Sequence, residues 1–163
     1  MKIFLIISLL LFSLSDGLPQ SISFNELVGL KSENYTGIDK VLKSKSWSFD
    51  KEIIKKTYTK YTWNYNKTAT SIFVFIKTTD NNNTVTYKTS DNKCYNEFVK
   101  LINSGSFKLL EKYEISNRVI NFYVRANYVV ELEKVTGILS NNQTLYSIGY
   151  MKIETYNMLK EFR

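Results

Sequence analysis

Residues 71–77, Ser71-Ile72-Phe73-Val74-Phe75-Ile76-Lys77, are apolar at every position between a serine and a lysine. A run this short, built from β-branched and aromatic residues, reads as a strand rather than a helix. Alternate side chains of a strand point to opposite sides. Ile72, Val74 and Ile76 therefore form one face, and Phe73 and Phe75 the other. With both faces apolar, this strand belongs inside a sheet rather than at its rim. Upstream, residues 57–65 place Tyr61, Trp63 and Tyr65 on one side, against Tyr58, Lys60, Thr62 and Asn64 on the other. Downstream, Asp80-Asn81-Asn82-Asn83 is a turn before a further strand at 84–88. The result is an antiparallel meander. Its aliphatic set suits the underside of helices, which leaves Tyr61, Trp63, Tyr65, Phe73 and Phe75 for the far face.

The flanks supply the helices. Ser23-x-x-Glu26 is a capping box, with Phe24, Leu27, Val28 and Leu30 behind it. Thr36-x-x-Asp39 reads as a second helix start, followed by Ile38, Val41 and Leu42. A third helix begins near Asp91, where Tyr95, Phe98, Val99 and Ile102 make one apolar stripe. A strand is expected at 47–49, and four more at 107–113, 118–125, 128–135 and 144–153, with a turn at Ser140-Asn141-Asn142-Gln143. Residues 156–162 read either as a short docked helix or as a loose tail. The expected core joins Leu27, Ile38, Val41, Leu42, Phe98, Val99 and Ile102 to Ile72, Val74 and Ile76.

A shift of sixty aligns Tyr35 with Tyr95, Lys40 with Lys100, Ser44 with Ser104, Ser46 with Ser106 and Thr84 with Thr144. Asn81 and Asn82 fall on Asn141 and Asn142. Both halves run helix, small-x-small-aromatic, three strands, Asn-rich turn, strand. The fold class read from this is α+β: duplicated α-β-β-β-β units forming an antiparallel sheet with helices packed on one face. The units are 18–89 and 90–163, sharing one core. This order, with a helix pair before Trp47 and its strands, resembles the β-lactamase-inhibitor-protein-like architecture. That resemblance implies helices on one face of the sheet and an open second face. The closing strand, Tyr146-x-Ile148-x-x-x-Lys152-Ile153, is similar to that of small secreted bacterial proteins of unknown function, and implies no activity.

Composition removes whole chemistries. The chain of 163 residues has no His and one Cys, Cys94. This excludes Ser-His-Asp and Cys-His nucleophiles, His-ligated and Cys-rich metal sites, and an intrachain disulfide. Without His to activate it, Cys94 reads as a small buried hydrophobe. Lys2 followed by the apolar residues 3–14, with small-x-small sites ending at Ser15 and Gly17, has the layout of a signal peptide. Residues 1–17 carry one base, Lys2, and one acid, Asp16, so the net charge of +7 survives their removal. The expected location is secreted or periplasmic. The basic residues are dispersed and only three are Arg, which reads as a solvated surface rather than a nucleic-acid site.

Glu131 and Glu133 stand at alternate positions of one strand, as a glycosidase pair would, but beside Lys134 they read as a solvated strand. Sequons at Asn34, Asn66, Asn82 and Asn142 are what an Asn-, Ser- and Thr-rich chain produces by chance. No phosphate loop or metal-ligand cluster is present, so no cofactor is expected. The function read from the sequence is a secreted, non-enzymatic binding module of inhibitor or immunity type. It would grip a protein with Tyr61, Trp63, Tyr65, Phe73 and Phe75. The alternatives are a domain binding a small apolar ligand or carbohydrate, and a hydrolase without histidine. Neither nucleic acid nor a membrane span enters the reading, and the expected state is a monomer or weak dimer.

Overall fold

In the computed structural model, residues 21–65, 71–79, 82–137 and 143–161 are described. Residues 1–17, read from the sequence as a signal peptide, the turn residues Asp80, Asn81 and 140–142, and the sequon residues Asn66 and Asn142 lie outside them. The capping box forms as read. Ser23 N–H and Oγ–H both donate to the Glu26 carboxylate at 2.9 Å, and Ser23 Oγ accepts from Glu26 N–H at 3.3 Å, opening α1 (Phe24–Lys31). In α2 (Tyr35–Ser44) the cap is Asn34, whose Oδ1 accepts from Gly37 N–H at 2.9 Å, and not Thr36. The start moves back by two residues because an Asn carboxamide caps as well as a Thr hydroxyl. That leaves Asp39 free for a longer-range task. Asp91 caps α3 (Asn92–Ser104), accepting from Lys93 N–H at 2.8 Å and Cys94 N–H at 3.3 Å.

Eight strands follow the helices in two runs: β1 (Trp47–Ile54), β2 (Tyr58–Tyr65), β3 (Ile72–Thr78) and β4 (Thr84–Thr89), then β5 (Lys108–Ile115), β6 (Arg118–Arg125), β7 (Tyr128–Val135) and β8 (Leu145–Lys152). They form one antiparallel sheet in the order β1-β2-β3-β4-β8-β7-β6-β5. Each run is a meander, and β4–β8 is the seam between them. The first hairpin of each run carries a bulge, between Phe49 and Lys51 in β1 and between Leu109 and Glu111 in β5. A short helix, α4 (Ile153–Lys160), follows β8 without a loop.

Helices α1, α2 and α3 pack on one face of the sheet, as the sequence suggests, but the face is the opposite one. Trp63, Phe73 and Phe75 are wholly buried beneath these helices, in one cluster with Leu27, Ile38, Leu42, Phe98 and Ile102. Aromatic side chains bury roughly 150–250 Å² each. Putting them in the layer between helix and sheet removes more apolar surface from water than Ile and Val would. Ile72, Val74 and Ile76 therefore point away from that core, while Val41 is exposed and Val99 only flanks the cluster. The far face is covered at one end by α4. Tyr156 packs there with Ile120, Phe122, Val129 and Met151 in a second, smaller cluster. The helices thus occupy both faces, three on one and one on the other.

Candidate functional site

Each residue expected to bind a partner has a definite place, and none is on an open face. The five are brought together, but α2 closes over them. Tyr35 of α2 lies 4.8 Å from the Tyr61 ring and 5.8 Å from Trp63, centroid to centroid. Tyr61 stacks on Phe75 at 6.1 Å and Trp63 meets Phe73 edge-on at 5.9 Å. Tyr65 is buried against Trp47 at 5.6 Å. The Trp63 indole donates to Asp39 of α2. Only Tyr61 keeps partial exposure. This is the packing of a core, with ring pairs each adding about 0.5–1.5 kcal/mol beyond area burial.

The surface that remains is the other side of β1 to β4. Strand register lays it out in rows. Lys51, Thr62, Val74 and Thr86 run across it, continuing through Gly149 to Glu131. Beside them run Ile53, Lys60, Ile76 and Thr84, and on the other flank Ser48, Asn64, Ile72 and Lys88. No described helix covers these rows. Even so, Thr62, Val74 and Thr84 are buried, and Ile72, Ile76, Tyr58 and Lys60 are half-buried by their neighbours in the sheet. Among the described residues the buried hydroxyls of Thr62 and Thr78 have no hydrogen-bond partner, which costs roughly 1–3 kcal/mol for each such group. Lys60 and Lys88 form no ion pair among the described residues, whereas Lys51 lies 3.6 Å from Asp50. The surface is thus an apolar stripe with cations on either side.

Glu131 and Glu133 share this side of the sheet further along. The Glu133 carboxylate is buried and ion-paired with Arg118, not with Lys134, which points to the other face. The Glu131 side chain lies over Gly149, where an added Cβ would come within 3.2 Å of it. These placements make Glu133 half of a structural pair. Cys94 is buried, with Sγ 3.8 Å from the Tyr87 hydroxyl, and burial pushes its thiol up to about 11. A thiol held protonated is neither nucleophile nor metal ligand. Among the described residues no group of acidic or thiol side chains can hold a metal ion, and no helix is long and apolar enough to cross a membrane.

Reading the sequence missed Lys60, Asn64, Thr86 and Lys88, with the buried Thr62 and Thr84 between them, as residues of interest on this side of the sheet. Their signal was present in the alternation of β2 and β4, where every second residue is polar. Comparison of the chain with protein families, with curated proteins and with solved structures finds no match.

Proposed function

We propose that the protein is a non-enzymatic binding module that holds a protein partner on the uncovered side of β1 to β4. The observation supporting this is the stripe of Ile72, Val74 and Ile76, on the part of this sheet face away from the end that α4 covers. Solvated sheet faces alternate to polar residues, and apolar patches rimmed by polar groups mark interaction sites. Lys60 and Lys88, without a carboxylate partner among the described residues, suit a partner with an acidic rim and make binding weaker in high salt. Lys2 and the apolar residues 3–14 support export, and an exported protein would meet this partner outside the cytoplasm.

The test uses the immobilised protein and material from its own culture medium and envelope. A partner captured by the parent protein should be lost by Ile72→Glu/Ile76→Glu, a variant that sets acid against acid on half-buried positions. Trp63→Phe, which alters only the core, should keep it. Retention by the doubly substituted variant, at an unchanged melting midpoint, would refute the proposed face.

A further inference from the structure

The two free edges of the sheet are β1 and β5. An unpaired edge is a template for another strand, and charged side chains are the usual guard against that. At the bulge of β1 the guard is complete: Asp50, Lys51 and Glu52 follow one another, all exposed. At the matching bulge of β5 stands Leu110, 41% exposed, beside Leu109 at 56%, while both strands end on an exposed isoleucine, Ile54 in β1 and Ile115 in β5. We infer that β5 pairs with β5 of a second copy of this chain, antiparallel, about a twofold axis at Tyr113. The two sheets then become one.

Self-complementarity selects this partner and this register. From Glu111 to Ile115 the strand is regular, with Lys112 and Glu114 on one side and Glu111, Tyr113 and Ile115 on the other. With Tyr113 opposite itself, Lys112 of each copy faces Glu114 of the other, so one register makes two opposite-charge pairs. Moving the axis to Lys112 sets lysine against lysine. Moving it to Glu114 sets glutamate against glutamate. An axis between residues would pair side chains on opposite faces. Lys112 and Glu114 now pair with each other within the strand at 2.5 Å, both about half exposed or more, so that exchange gives up little. The contact of Lys160 with Glu111 brings the last turn of α4 to this edge, with Met158 and Leu159 exposed beside it. That adds apolar area where Ile115 of the second copy enters. A twofold contact of this kind is isologous and closes at the dimer.

Sedimentation of the purified protein over a range of concentrations should show a reversible monomer–dimer equilibrium. Lys112→Glu and Glu114→Lys should each raise the dimer dissociation constant at least about tenfold, by turning two attractions into repulsions. Mixed in equal amounts, the two variants should recover association, because each supplies the charge the other lacks. Leu110→Asp should give a monomer with an unaltered circular dichroism spectrum. A parent protein that stays monomeric to millimolar concentration would overturn the inference. So would folded variants that dimerise like the parent, or a mixture that fails to associate.

Discussion

The Trp63 indole Nε1–H donates a 3.0 Å hydrogen bond to Oδ1 of Asp39, twenty-four residues earlier. This bond ties α2 to β2 at the centre of the aromatic layer. Burial by itself would raise the Asp39 carboxyl, but hydrogen bonds from Lys43 and Trp63 outweigh it and hold the group below the ordinary carboxylate value. Trp63→Ala should destabilise the fold by roughly 3–5 kcal/mol, the cost of emptying an aromatic core site. Asp39→Ala leaves a buried N–H unpaired and should cost about 1–3 kcal/mol. Urea unfolding followed by circular dichroism measures both. Tryptophan emission from the native protein should be that of buried indole, since Trp47 is 2% and Trp63 0% exposed.

The two sides of β3 should respond differently to substitution. Phe73→Ala and Phe75→Ala empty the helix-covered layer and should cost about 3–5 kcal/mol each. Ile72→Thr and Ile76→Thr, on the uncovered side, should cost less than about 1.5 kcal/mol. Equal losses on both sides would show that a further layer covers the second face.

Acid should loosen α4 before the main core. The Lys160 ammonium, then the Tyr113 and Tyr156 hydroxyls, hold the Glu111 carboxyl at about 2, against an ordinary 4.5. A depressed carboxyl stabilises the folded state above its unfolded value and loses that effect as pH falls through its folded one. Docking of α4 should therefore weaken from about pH 4.5 down to about 2. Hydrogen exchange of the α4 amides reads this directly, and Glu111→Gln should remove the pH dependence.

Cys94 should not react with a disulfide reagent at pH 8 in the native protein, because its thiol titrates near 11 and is 4% exposed. In denaturant it should react at the rate of a free cysteine. Fast native labelling would place the thiol at the surface.

Lys31 is 6% exposed, with its ammonium 5.2 Å from the centroid of the Tyr128 ring and no ion pair among the described residues. Desolvation, helped by Lys152, pulls its pKa below the ordinary lysine value. Its protonated form is therefore disfavoured in the fold, and the contribution of this one group to stability should grow as pH climbs toward 10.5, against the opposite trend of the buried tyrosines and Cys94, whose raised values cost stability there. Lys31→Met keeps the packed stem and drops the charge. It should be as stable as the parent or more so at pH 7, and its advantage over the parent should shrink as pH climbs toward 10.5.

Element type was legible where local chemistry decides it. The capping box at Ser23, the Asp91 cap and the apolar stripe of α3 all depend on neighbours within a few residues. The face assignment of β3 was not legible, because Ile72-Phe73-Val74-Phe75-Ile76 is apolar both ways and alternation alone has no sign there. Its neighbours carry the sign. Thr62 pairs with Val74 and Val74 with Thr86, so the polar side of β2 and β4 carries the aliphatic side of β3 with it. Tyr35 and Asp39, which close α2 over the aromatic residues, are distant in sequence from what they cover, and only the tertiary fold brings them there. The candidate surface was hidden for the same reason, being the complement of that choice.

The seam of the sheet sets the order in which the molecule can be completed. Val85 pairs with Tyr150, and β8 takes its place between β4 and β7 although it is synthesised after the other seven strands of this sheet. Until Leu145–Lys152 has been made, each meander presents a raw inner edge, β4 on one and β7 on the other. Such a nascent chain has two adhesive borders and no bridge, the state most open to wrong partners. Closing the seam joins residues far apart in the chain, so it should be the slow step of refolding. A chaperone that shields β4 during synthesis would serve this protein better than one that acts on its helices.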